Sequence, residues 1–424
     1  MLPALGQEER MPSSYRVAGI DVHKKMLAVV VSDVAAAGEW EWERRTFGTL
    51  DSELRQLAEW LAEREVGEAV MESTAQYWIP VWRALEARCR LHLAHAQSNR
   101  APKGRKRDFA DAERLVRRLV AGELVLSFVP DGQQRLWRTA TRARHQLTCE
   151  RVRLQNQLEA LLEDAQIKLS SCVSDLLGLS SRRMIEALAQ GERDPAVLAT
   201  LAAPGLRATA EQLRDALHSA PSMSAVHRQL LGLLLERLQL VDRQREILNQ
   251  TIAQALLDHS EAVARLVDIP GFGVNSAQQV IAEVGPQAAT FASAAQLASW
   301  AGVCPGRNES AGVSTSDRCP KGNRTLRRVL TEVALAAVKT KGCIFQTLYR
   351  RLVVRLGHAK AIWAVAHRLC RLVWKILYQG ISYEERGTSP NTLVARQRTR
   401  RLIRQLQALG YQVQLTPITP EQAS

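Results

Sequence analysis

The hydrophobic pattern changes period about a third of the way along the chain, and this limits the folds open to it. Through residue 128, apolar residues come in short runs of strand length. Residues 15–21 and 26–32 are β-rich and separated by a polar turn at 22–25, the pattern of a hairpin. Residues 40–47, 68–72 and 90–96 read as three further strands. Asp51 reads as an N-cap, with Leu54, Leu57, Ala58, Leu61 and Ala62 on one helical face behind it. Helices are also expected over 77–89 and 108–120. Strands alternating with helices predict an α/β domain over residues 13–128.

From Leu136 the period becomes helical, with Ala140, Leu147, Leu154 and Leu161 seven residues apart. Glu150 interrupts this seam. Leu234, Val241 and Leu248 repeat the spacing beside Leu230, Leu238 and Ile252. Two long helices are expected in a coiled-coil-like region over 129–262. They pack either against a second subunit or within one chain, and the spacing leaves both open. A mainly helical third domain is expected over 263–384. There Ile269, Pro270, Gly271, Phe272 and Gly273 resemble a helix-hairpin-helix turn, in which Gly271 and Gly273 let backbone approach phosphate. A small-residue loop follows over 302–322, then helices over 323–339 and 344–378. The tail, 385–424, carries a basic run at 396–404.

Charge narrows the function. There are 57 Lys and Arg residues against 43 acids, a formal net charge of +14. The cations gather at Arg100, Lys103, Arg105, Lys106 and Arg107, and again at Arg318, Lys321, Arg324, Arg327 and Arg328. Clusters of this kind favour a polyanion partner over a generally basic surface. No run reaches the roughly 20 apolar residues of a membrane span, and the first residues carry no secretion-signal pattern. None of the seven cysteines forms a C-x-x-C pair, which argues against a zinc site or disulfide framework. A cytoplasmic protein without a membrane partner is expected.

Asp21 ends the first strand and Glu72 ends the fourth, while Asp108 and Asp111 lie three apart on one helix face. Each acid has a plainer explanation: a turn residue at Asp21, a helix cap at Glu72 or Asp108, a dipole partner at Asp111. Those explanations do not account for an acid at the end of each of two apolar strands. Oxygen ligands suit hard divalent ions such as Mg²⁺, and paired ions promote phosphoryl transfer. Glu113 is expected to be solvated surface. In the loop, Ser310, Ser314, Thr315 and Ser316 offer hydroxyls ahead of a basic helix. Spacing does not choose among them, and a phosphate-binding loop without a nucleophile fits equally.

Taken in order, GIDVHK (19–24), MEST (71–74), KRDFADAERL (106–115), IPGFG (269–273) and GVCPGRNESAG through KGNRTLRR resemble the DEDD-type transposases of bacterial and archaeal insertion sequences. Residues 161–178 resemble the longer subgroup of that family. The resemblance implies a RuvC-like, ribonuclease-H-like N-terminal domain with its four metal-binding acids at Asp21, Glu72, Asp108 and Asp111. It also implies a nucleophilic serine, best matched by Ser310. Arg107 departs from the small polar residue usual before the third acid. The family further implies a structured non-coding guide RNA pairing with target and donor DNA, so that base pairing supplies sequence. Dimers assembling into a tetramer, and a nucleoid-associated location, are implied as well. Two other readings stand beside this one: a hydrolytic RuvC-like nuclease or junction resolvase, and a non-catalytic nucleic-acid-binding scaffold.

Overall fold

The computed structural model describes residues 15–34, 40–72, 75–95, 107–306, 308–310, 313–316 and 319–385, with 400, 403, 404 and 407; for 308–310 and 313–316 it describes backbone alone. The chain divides into two compact units at Pro130/Asp131.

The first unit is built on a five-stranded mixed sheet of order β3-β2-β1-β4-β5. β1 (Arg16–Val22), β2 (Met26–Asp33) and β3 (Glu43–Gly48) form the expected antiparallel meander, while β4 (Val66–Glu72) and β5 (Arg90–Ala94) extend β1 in parallel. Strand alternation sorts the side chains. Ala18, Ile20, Val22 and Met71 face a core completed by α1 (Asp51–Glu63) and α2 (Trp78–Leu85). Val17, Val30 and Val70 face α3 (Asp108–Val120) through its Ala112, Leu115 and Val116. By the same alternation Gly19, Asp21 and Glu72 lie on the α3 side. The arrangement is compatible with the ribonuclease-H-like expectation.

α3 lies unusually close to β1. A Cβ on Gly19 would stand 2.3 Å from the Ala112 carbonyl oxygen and 2.8 Å from a Val116 methyl. Only glycine allows this approach, which carries the first turn of α3 toward the strand ends.

The second unit is helical. α4 (Gly132–Asp164) is followed by the shorter α5 (Leu169–Cys172), α6 (Leu179–Gln190), α7 (Pro195–Thr200) and α8 (Ala210–Ala216), then by α9 (Ala225–Ala255). α4 and α9 run antiparallel: Asp164 meets His227 at 2.9 Å, Arg151 meets Asp242 at 2.9 Å, and Arg144 meets Asn249 at 3.4 Å. Leu154, Leu158 and Leu162 are sealed against Leu231, Leu235, Leu238 and Val241. The long-helix seam is therefore intramolecular on this face. It follows Leu154, Leu158 and Leu162 rather than the strict seven-residue set, because an α-helix repeats every 3.6 residues.

α9 carries a second apolar stripe that α4 does not cover. Val226, Leu233, Leu240 and Ile247 are spaced by seven residues and are 64%, 49%, 45% and 61% exposed. The sequence points to Leu234 and Val241, one position away, and those residues face the interior of this unit.

α10 (Ser260–Val267), α11 (Val274–Val284) and α12 (Ala294–Ala301) lead to a hairpin of β6 (Asn308–Ser310) and β7 (Val313–Ser316), then to α13 (Arg324–Ala337) and α14 (Ile344–Gln379). The loop expected over 302–322 thus contains a short ladder. α14 is broken at Gly357, where φ is 73°. No helix among the described residues is long and apolar enough to cross a membrane.

Candidate active site

Asp21 and Glu72 reach the same edge of the sheet because β1 and β4 are parallel neighbours with Ile20 opposite Met71. Asp108 occupies the first residue of α3 and Asp111 the next position on the same face. The simpler explanations for two of the acids fail. The N-cap of α3 is Arg107, so the Asp108 carboxylate is not spent on capping. The N-cap of α2 is Tyr77, which removes that role from Glu72.

His23 is a fifth member that the sequence reading passed over. Its Nε2 lies 3.2 Å from Asp21 Oδ2 and 3.3 Å from Asp108 Oδ1. The signal was available: His23 follows Asp21 by two residues, in the polar turn just past the end of β1. A turn hydrogen bond from His23 N–H to the Met26 carbonyl (3.0 Å) holds the position. Asp111 accepts a bond from Arg114 Nη1 at 2.7 Å.

Burial raises the Asp21 carboxyl above its ordinary pKa. His23 pulls it down, and the negative charges of Asp111, Asp108 and Glu72 push it up again. Three neighbouring carboxylates therefore act on the partly buried Asp21, a condition that a bound cation would relieve. Donor atoms of Asp21, His23 and Asp108 lie within 4.8 Å of one another. Two hard oxygens and an imidazole nitrogen fit a divalent metal ion.

Glu113 is not solvated surface. It is mostly buried and pairs with Arg44 at 2.7 Å, because the α3 approach presses it onto the sheet. Arg107 lines a cleft of about 520 Å³ beside Asp108. Arg100, Lys103, Arg105, Lys106 and Arg318 lie outside the described residues, as does most of the basic run at 396–404.

In the second unit, Ser310 ends β6 opposite Val313, with Glu309 opposite Ser314. The hairpin rises from a pinched neck. A Cβ on Gly302 would lie 2.7 Å from Gly322 N, and one on Gly322 would lie 2.4 Å from the Ala301 carbonyl carbon. Asn323 N–H donates to the Trp300 carbonyl at 3.1 Å, and Asn323 Nδ2 donates to Glu283 at 2.8 Å. Glu283 is completely buried on α11 and also accepts two bonds from Arg142 of α4, at 2.8 and 2.9 Å. One carboxylate thus joins the loop exit to two helices.

The remaining predicted binding residues differ in availability. Lys321 and Arg324 are exposed. Arg327 lies over the Trp363 ring, and Arg328 is paired with Glu332 and Gln279. Gly271 has φ 89°, and its missing side chain makes room for Val333 and Ala337 of α13; Gly273 faces open space at the start of α11. Packing therefore accounts for Gly271, leaving Gly273 as the position of the pair open to a phosphate.

Residues 18–167 match a transposase family model of the DEDD, IS110 type, and residues 263–350 match the model of the transposase IS116/IS110/IS902 family. Among curated proteins, the insertion element IS900 uncharacterized 42 kDa protein of Mycobacterium paratuberculosis is 26% identical over 183 residues, covering 43% of this chain and 46% of the relative. The insertion element IS110 uncharacterized 43.6 kDa protein of Streptomyces coelicolor is 31% identical over 155 residues, covering 36% of this chain and 38% of the relative. The matches span less than half the length of either relative.

Proposed function

The chain belongs to the DEDD transposases of the IS110 insertion-sequence family, and from that premise we propose that it cuts and rejoins DNA to move an insertion sequence, with Ser310 as nucleophile and Asp21, Glu72, Asp108 and Asp111 as a divalent-metal site. The observation that carries this reading is the approach of Asp21, on β1, and Asp108, on α3, to the one imidazole of His23, with the charges of Glu72 and Asp111 acting on Asp21.

In the proposed reaction the Ser310 hydroxyl oxygen forms an ester with phosphorus as the bond to one sugar oxygen breaks. The hydroxyl proton passes through solvent to that leaving oxygen. In rejoining, a sugar hydroxyl attacks the same phosphorus and the Ser310 oxygen leaves with the proton, so the phosphate keeps two ester bonds at every stage. A bound Mg²⁺ or Mn²⁺ supplies charge stabilisation for the reacting phosphate. The four acids would hold that ion, and His23 positions Asp21 and Asp108 toward each other. Exposed cations at Lys321 and Arg324, together with the predicted cluster Arg100, Lys103, Arg105, Lys106 and Arg107, contact DNA or RNA phosphates.

A structured non-coding RNA pairing with target and donor DNA would supply sequence choice, leaving the protein to read backbone and shape. Homo-oligomers form through the outer stripe of α9, whose seven-residue spacing suits a helix from a second copy. The acids and the serine then serve one phosphodiester, within a subunit or between subunits.

Incubating the protein with Mg²⁺ and its DNA and RNA substrates, and mapping any protein–DNA linkage by mass spectrometry, tests the proposal. An adduct at Ser310, lost in Ser310→Ala with binding retained, supports it. Cutting that survives Ser310→Ala but not Asp21→Ala makes the protein a hydrolytic nuclease instead.

A further inference from the structure

A cleft of about 1030 Å³ opens along the second half of α14, where it meets the segment at residues 381–384. Arg368, Arg371 and Lys375 line it, at intervals of three and four residues, so all three project from one helical face. All three are exposed, and no carboxylate lies within 4.0 Å of any of them among the described residues. Glu384 is the one acid in the wall, while Glu385 is engaged by Tyr383 and by the Ile344 N–H. Several other arginines of this unit are matched, Arg142 with Glu283, Arg151 with Asp242, Arg182 with Glu186 and Arg328 with Glu332. The α14 stripe is thus a concentrated positive charge with an anion still to be met.

Aromatic rings sit beside the cations. Trp374 is fixed by a bond from its Nε1 to the Phe291 carbonyl at 2.8 Å, and Tyr378 stacks on it with centroids 4.6 Å apart and planes 14° from parallel. Tyr378 is 52% exposed and lies next to Gln379 of the cleft wall, one helical turn beyond Lys375. Burial and the neighbouring Arg371 and Arg368 depress the His367 pKa, which makes this imidazole a neutral hydrogen-bonding group. Burial, with Cys319, raises the Cys304 thiol at the stem of the serine loop, and Arg371 lies close enough to oppose that rise in part.

We propose that this cleft holds an unpaired nucleic-acid strand, its phosphates on Arg368, Arg371 and Lys375 and one base stacked on Tyr378. Phosphates spaced along a strand match cations spaced along a helix face, and an exposed aromatic ring accepts an unstacked base of any identity. A duplex keeps its bases stacked inward and would use the cations alone. Where the strand leads rests on the proposed function, since Arg371 borders the serine-loop stem. The binding itself does not.

The test uses the full-length protein in EDTA, so that no cleavage is required. Fluorescence anisotropy with labelled oligo(dT), oligo(U) and a duplex of equal length compares wild type, the Arg371→Ala/Lys375→Ala pair, Tyr378→Ala and Tyr378→Phe. Both alanine variants are expected to weaken single-strand binding about tenfold, with Tyr378→Phe close to wild type. The double variant is also expected to flatten the salt dependence by about 1.4 in slope, roughly 0.7 per lost contact. Duplex binding should change less than twofold in Tyr378→Ala. The relative losses on oligo(dT) and oligo(U) identify the strand as DNA or RNA. Unchanged single-strand affinity overturns the proposal, as does an equal loss on duplex in Tyr378→Ala. Either failure leaves the Ser310 adduct experiment unaffected.

Discussion

Gly19 and Ala112 touch with no room for a methyl group between them, since a Cβ on the glycine would stand 2.3 Å from the Ala112 carbonyl oxygen. This contact joins the central strand to the helix that carries Asp108 and Asp111. Gly19→Ala should force α3 outward and cost about 1–3 kcal/mol. It should also weaken Mn²⁺ binding measured by calorimetry. Gly67→Ala, on the same sheet with open space around it, should leave both unchanged. Wild-type metal affinity in Gly19→Ala would detach the glycine from the site.

Asp21 gives a pH dependence of definite sign. Its carboxyl is raised in the fold, chiefly by burial, so the folded state favours the protonated form. The stabilising contribution is full below the ordinary carboxylate pKa and is lost as pH climbs through the raised value. In EDTA, Asp21→Asn should therefore melt a few degrees higher than wild type at neutral pH. The gap should close as pH falls through the carboxylate range. A gap independent of pH would mean that ionisation of Asp21 is not its cause.

Glu283 should be among the most sensitive positions of the second unit. Removing the carboxylate takes two hydrogen bonds from Arg142, the ion pair from the mostly buried Arg138 and the acceptor from Asn323 Nδ2. Glu283→Ala is expected to cost about 3–5 kcal/mol in urea unfolding. Glu283→Gln, which keeps part of the hydrogen bonding, should cost less. Equal losses would show that charge contributes nothing there.

The outer stripe of α9 predicts association. Leu233→Lys with Leu240→Lys should lower the mass seen by sedimentation without lowering the melting temperature, because both residues are exposed within the chain. Leu235→Ala, on the inner side, should instead cost about 2–5 kcal/mol. An unchanged mass in the double variant would rule out this stripe as the seam.

Much of the first unit was legible in the sequence because strand physics is local. Alternation assigns Val17, Gly19 and Asp21 to one face, and a polar turn between two β-rich runs dictates a hairpin. The two strand-end acids and the helical pair were therefore identifiable before any contact was known. The helical region was legible only in part. Seven-residue spacing predicted long helices, but a helix can be apolar on two sides, and spacing does not say which side meets its own chain. Leu234 and Leu233 differ by one position and look in different directions.

Sequence alone determined the strands, the long helices and the placement of acids at strand ends, since these depend on residues near one another along the backbone. Only the tertiary structure decided that His23 bridges Asp21 and Asp108, that Gly19 admits α3, and that Glu283 reaches Arg142 across 141 residues of chain. Those relations depend on how elements distant in sequence settle against one another, and hydrophobic periodicity carries no record of that.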